Sequence, residues 1–196
     1  LLDDVDINIR IINSMLSKRN LNQLDLVSYR DLFCFPIQTF HQRIGFNFEK
    51  ESIENISEEY NTMYKLYEPD MKLSTNALFV LDAIREKGIK QYILSAAGKG
   101  DLIRMTGSFN LAKKFEAIYG ADNICATGKV GIGKLLMQEN QLNTSKTIII
   151  GDTLHDAEVA KSVGIKFILY SGGHNSHKLL SKEARVISDL KEILFL

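Results

Sequence analysis

Tryptophan is absent from this sequence, cysteine and proline occur twice each, and the 24 basic and 24 acidic residues cancel. Each shortage excludes something. Cys34 and Cys125 stand far apart, and with the four histidines they make no tetrahedral set, so zinc is not expected. Two lone thiols suit a reducing compartment, and the expected location is the cytoplasm. Zero net charge gives no electrostatic footprint for nucleic acid or an anionic membrane, and neither is expected as a partner. No apolar run approaches the roughly 20 residues that span a bilayer. The start, Leu1-Leu2-Asp3-Asp4-Val5-Asp6, has no basic stretch ahead of an apolar one and does not read as a signal peptide. What remains is a chain of 196 residues, 45% hydrophobic, with the composition of a soluble globular protein of one or two domains.

The first 72 residues read as helical throughout. Val5, Ile7, Ile9, Ile11, Ile12, Met15 and Leu16 give one apolar face ending near Lys18-Arg19-Asn20. Leu24 to Phe33 follows as a short helix, Pro36 punctuates, and a third segment carrying Phe40 and Ile44 ends at Gly45. Glu51 to Tyr67 repeats the helical spacing, and Pro69 marks a boundary. No stretch here has a strand signature, so residues 1–72 are expected to form a small all-α domain.

From Leu73 the pattern changes. Ala77 to Ile84 reads as a helix closed by Gly88, Gln91 to Ser95 as a strand, Asp101 to Phe109 as a helix and Phe115 to Tyr119 as a weaker strand. Val130 to Asn140 is helical. Thr147-Ile148-Ile149-Ile150 is a β-branched run without alternation, expected to be a strand buried on both faces. Asp156 to Val163 is a helix stopped by Gly164. Lys166 to Tyr170 is a further strand, Arg185 to Ile187 an edge strand and Leu190 to Leu194 a last helical turn. Strand and helix alternate, which predicts an α/β domain over 73–196 with one parallel sheet covered on both faces.

Three groups stand at three successive strand ends. Ser95 precedes Ala96-Ala97-Gly98-Lys99-Gly100, small residues that let backbone N–H groups approach an anion, while the hydroxyl donates to a phosphate oxygen. Lys129, between Gly128 and Gly131 at the start of a helix, suits a phosphate or carboxylate clamp; Lys134 is its competitor. Gly151-Asp152-Thr153-Leu154-His155-Asp156 places two carboxylates four residues apart, where they could hold a hard divalent cation. The plainer alternative makes Asp156 a helix cap and Asp152 a turn residue. A parallel sheet gathers such strand ends at one crevice.

Ser95 after Ile93-Leu94, then Lys129, then Gly151-Asp152-Thr153-x-x-Asp156 resemble motifs II, III and IV of the haloacid dehalogenase-like hydrolase superfamily. The helical part ahead resembles the inserted α-helical cap of its phosphoglycolate-phosphatase-like branch. The resemblance implies a Rossmann-like core with a small all-α cap, and a Mg²⁺-dependent phosphatase acting on a small phosphorylated metabolite through an aspartyl-phosphate. It implies that Ser95 and Ala96 bind the phosphoryl group and that Lys129 neutralises its charge. Asp152 would ligate Mg²⁺, and Asp156 would assist at the metal or orient Lys129. Phosphoryl transfer asks for such positioning and charge compensation. A monomer or homodimer is expected.

The superfamily's motif I, Asp-x-Asp-Gly-Thr, has no counterpart here; Leu1-Leu2-Asp3-Asp4 resembles the residues that follow it. The nucleophilic aspartate, the acid/base aspartate and their strand are therefore expected upstream of Leu1. Without that central strand the sheet would split and expose both neighbours. The alternative is an inactive truncated chain or a non-catalytic α/β binding module. A mutase or phosphonatase activity is the runner-up within the superfamily, ahead of a haloalkanoate dehalogenase. Arg43, His41 and Tyr64 are candidate cap contacts, and His155 and His174 candidates for the rim, with no catalytic role assigned.

Overall fold

Amphipathic spacing builds the first half of the protein. In the computed structural model, which describes residues 1–121 and 128–195, a two-residue strand β1 (Leu2–Asp3) leads into helix α1 (Val5–Lys18). Helices α2 (Leu26–Leu32), α3 (Ile37–Arg43) and α4 (Ile53–Leu66) follow. Cys125 and Thr127 fall outside the described residues. The apolar stripe of α1 faces inward, and Ile11, Met15 and Leu16 bury fully with Tyr29, Phe40 and Ile56 in a common core. Side-chain caps start two of these helices: Asp25 accepts from the Ser28 N–H at 2.7 Å and Ser52 from the Asn55 N–H at 3.2 Å.

The helical layer is not wholly α. Strand β2 (Lys72–Leu73) pairs antiparallel with β1, Leu2 opposite Leu73 and Asp3 opposite Lys72, and the Ser74 N–H donates to the Leu1 carbonyl at 2.9 Å. Pairs of two residues are too short to leave any alternation in the sequence.

The second half alternates α5 (Ala77–Glu86), β3 (Tyr92–Gly98), α6 (Lys99–Ser108), β4 (Ala117–Ala121), α7 (Lys129–Glu139), β5 (Ile148–Gly151), α8 (Leu154–Val163), β6 (Lys166–Tyr170), α9 (His177–Leu180) and β7 (Val186–Ile187). A 3₁₀ turn over Leu190–Phe195 closes it. The architecture is thus α/β, a Rossmann-like succession of parallel strands and helices carrying a helical cap. Gly164 ends α8 in the left-handed region at φ 73°, where glycine carries no steric cost. Helix α9 and the extension of β3 to Gly98 were not foreseen.

The split expected of a sheet without its central strand is seen: among the described residues the parallel strands form two sheets. Strand β3 pairs in parallel with β4 alone, while β5, β6 and β7 form a separate parallel sheet. A cavity of about 1110 Å³ lies between them, lined by Ile93 and Leu94 on one side and Ile149 and Ile150 on the other. Strand β5 is consequently half-buried rather than covered on both faces, with Ile148 45% exposed. Among the described residues, no helix is long and apolar enough to cross a membrane.

Candidate active site

The turn after β5 is held by its own side chains. Thr153 caps α8 and Asp156 completes a capping box, its Oδ2 accepting from the Thr153 N–H at 3.0 Å and the Thr153 hydroxyl at 2.8 Å. The Asp152 N–H donates to the same oxygen at 3.1 Å. Gly151 is required by close approach, because a methyl group there would lie 2.2 Å from the Asp156 Cβ.

The other carboxylate oxygen of Asp156 meets the Lys129 ammonium at 2.5 Å. Both side chains are buried, the lysine 12% and the acid 4% exposed. Burial alone would raise the Asp156 carboxyl, but the neighbouring Lys129 charge and the Thr153 hydrogen bonds bring it below its ordinary value. Lys129 is the first residue of α7, set there by Gly128 at φ 90°. Lys134, five residues further along the helix, is exposed and does not line the cavity.

Asp152 is less committed. Its Oδ2 accepts from the His174 N–H at 2.9 Å and its carbonyl from the Asn175 N–H at 3.2 Å. Gly173 packs directly on this carboxylate, and a methyl group there would stand 2.1 Å from Oδ2. Ser95 lies within β3 rather than at its end, and its hydroxyl accepts from the Ala97 N–H at 3.1 Å, leaving its own proton free to donate. Ser95, Ala96, Lys129, Asp152 and Asp156 all line the one cavity.

The two acids are therefore not equivalent. Both oxygens of Asp156 are engaged, one with Lys129 and the other in the cap of α8. Asp152 retains one carboxylate oxygen without a hydrogen-bond partner among the described residues. Among those residues, no cluster of three His, Cys, Asp or Glu side chains could hold a metal. Asp152 alone is an incomplete donor set for Mg²⁺, which takes six oxygens, several of them from water and substrate phosphate.

Several contacts at the mouth of the cavity were not legible in the sequence. Asp4 is buried, accepting from Asn8 Nδ2 at 3.1 Å and the Tyr64 hydroxyl at 2.6 Å, with His174 Nε2 3.5 Å away. Burial would raise the Asp4 carboxyl, yet His174, Tyr64 and Asn8 hold it well below the usual carboxylate range. Burial would lower the His174 imidazole, yet Asp4 and Asp152 raise it. The Tyr29 hydroxyl bonds His174 Nδ1 at 2.8 Å. Tyr64 and His41 thus sit at the cavity, whereas Arg43 is exposed and donates to the Leu32 carbonyl at 3.4 Å. His155 pairs with Glu158 at 2.8 Å beside α8.

A family model described as haloacid dehalogenase-like hydrolase matches residues 1–170. No curated protein matches the sequence. Among solved structures, a predicted phosphatase from Clostridium acetobutylicum superposes with a TM-score of 0.83 at 19% identity, covering 100% of this chain and 94% of that one. A haloacid dehalogenase-like family hydrolase from Streptococcus pneumoniae gives 0.74 at 21%, covering 100% and 92%. A predicted phosphoglycolate phosphatase from Haemophilus somnus gives 0.74 at 16%, again covering 100% and 92%. At these identities the likeness is one of fold.

Proposed function

The chain belongs to the haloacid dehalogenase-like hydrolases, and from that premise we propose that it serves a phosphatase, a phosphoric monoester hydrolase for a small phosphorylated metabolite. The observation that carries the reading is the buried Lys129–Asp156 pair, set on the same cavity as Ser95 and Asp152. A lysine locked by a carboxylate that is itself locked by a capping box is a fixed point charge. Fixed charge is what a phosphoryl group spreading negative charge over its equatorial oxygens requires. In this reading the Ser95 hydroxyl donates to one of those oxygens, Lys129 faces another, and Asp156 keeps Lys129 aimed. Mg²⁺, when bound, would supply further charge compensation at Asp152, and the rest of its donor set is not furnished by the residues described.

The nucleophile in this reading is an aspartate on a strand seated between β3 and β5, which the residues described do not supply. It attacks phosphorus as the bond to the leaving alkoxide breaks, and water then hydrolyses the aspartyl-phosphate. The apolar cavity supports that placement: β3 and β5 each lack a second paired neighbour among the described residues, and Ile93, Leu94, Ile149 and Ile150 line the space with room for one more strand. Asp3 and Asp4 do not take the role. Asp3 is exposed in β1, and the oxygens of Asp4 face Asn8, Tyr64 and His174.

Hydrolysis of p-nitrophenyl phosphate by the natively expressed full-length protein, with and without Mg²⁺, tests the proposal. Metal-dependent turnover that Asp152→Asn abolishes is the expected result. Turnover retained by Asp152→Asn counts against it.

A further inference from the structure

One side chain ties the two layers of the protein together at the site. Asn175 follows β6 and is 1% exposed. Its Oδ1 accepts from the Leu154 N–H, the first amide of α8, at 2.9 Å. Its Nδ2 donates to the carbonyls of Phe33 at 2.8 Å and Arg30 at 3.3 Å, at the end of α2, where a helix has no internal partner for its carbonyls. Its own N–H donates to the Asp152 carbonyl. A buried amide with donors and acceptor all used is a rigid bracket.

Its neighbours repeat the connection. Arg30 Nε donates to the Gly173 carbonyl at 2.9 Å, and the Ser176 N–H donates to the Arg30 carbonyl at 3.3 Å. The His174 ring stacks on Phe33 with centroids 4.8 Å apart. Helix α2 is thus bonded to the segment in which the His174 N–H holds the Asp152 carboxylate and the Asn175 N–H holds the Asp152 carbonyl. Tyr29 and Phe33 of that helix end also line the cavity. A molecule seated there would press on α2, and α2 cannot shift without pulling on Asn175.

We infer that Asn175 is a positioning residue through which the seating of α2 sets the place of Asp152 and of the first turn of α8. The helical layer then governs turnover as well as access. The kinetic half of this inference rests on the phosphatase reading; the mechanical half does not.

Two substitutions test it in the full-length protein. Asn175→Asp keeps the acceptor for the Leu154 N–H and loses the donors to α2, while Arg30→Ala removes the parallel tie from the helical side. Amide hydrogen exchange is measured over residues 26–33 and 151–156, with kcat and KM for p-nitrophenyl phosphate. Exchange is expected to rise in both segments together, and kcat to fall roughly 10- to 100-fold with KM changed less than about twofold, as for displaced groups that act in the transition state. Faster exchange in 26–33 with 151–156 unchanged, or an unchanged kcat, overturns the inference. A wild-type protein without turnover defeats the phosphatase reading, and the exchange measurement still decides the coupling. Should Asn175→Asp fail to fold, Arg30→Ala decides it alone.

Discussion

The helical layer and the α/β part bury their apolar residues to different degrees. In the first, Ile11, Met15, Leu16 and Ile56 are wholly excluded from solvent. In the second, β3 and β5 are only half-buried and Ile148 is 45% exposed. Four amphipathic helices can shield one another's stripes, so that layer closes on itself. A parallel strand needs a neighbour at each edge and cover on each face; β6 has both, and β3 and β5 do not. The chief exception is the turn bearing Asp152 and Asp156, where Ala157, Val159 and Ala160 are fully buried, as Leu169, Leu180 and Ile187 are beyond it. The α/β part is therefore close-packed at its candidate chemistry and open along its middle.

The largest effect is expected at that exception. Asp156→Asn leaves the Lys129 ammonium buried without its counter-charge, and should cost about 3–5 kcal/mol in urea unfolding. A cost near zero would make the turn as loose as the strands around it. Next come paired truncations. Ile11→Ala, in the closed helical core, should cost about 3–4 kcal/mol, and Ile150→Ala, beside the cavity, about 1–2 kcal/mol. Equal costs would erase the contrast.

Acid should separate the two regions more finely. Burial, helped by the Arg19 charge, holds the His41 imidazole at about 4 instead of 6.5. Between those values the unfolded chain binds a proton that the folded chain refuses, so stability is full above pH 6.5 and declines toward pH 4. The decline should amount to about 2 kcal/mol and vanish in His41→Phe, as read by urea unfolding at pH 7 and pH 5. Asp156 works in a lower window. Its depressed carboxyl contributes stability above 3.8 that is lost as the pH falls through the folded value. Acidification should therefore loosen the helical layer first. The smallest effect belongs to the exposed Lys161–Glu183 pair, where Lys161→Ala should cost about 0.5 kcal/mol or less.

Much of this was visible in the residues themselves. Helical spacing located α1 to α8 to within a few residues, and the Ile148–Ile150 run located β5, because those signals are local and periodic. Ser95, Lys129, Asp152 and Asp156 were recognisable from their order, and they do share a cavity. The division of labour between the acids was not, since it depends on where Lys129 Nζ and the Thr153 hydroxyl point. Nor was the bracket at Asn175, whose partners in α2 lie some 140 residues away along the chain. Gly172-Gly173 beside it was the available hint: two glycines after a strand imply something pressing close, and Gly173 presses on Asp152. The two-residue strands β1 and β2 left no trace because a single pair has no period.

That short ribbon has a bearing on what kind of object the helical layer is. Leu2 and Leu73 stand opposite one another, so the helical layer begins and ends at neighbouring points one strand spacing apart, about 5 Å. Topologically the four helices are a detour whose two ends already meet. Closing such a detour costs entropy that grows only slowly with its length. A shorter, longer or differently folded excursion could be grafted between Asp3 and Lys72 without moving either end. The scaffold is open to exchange there, and whatever replaced the helices would have to supply anew what the end of α2 now gives to Asn175.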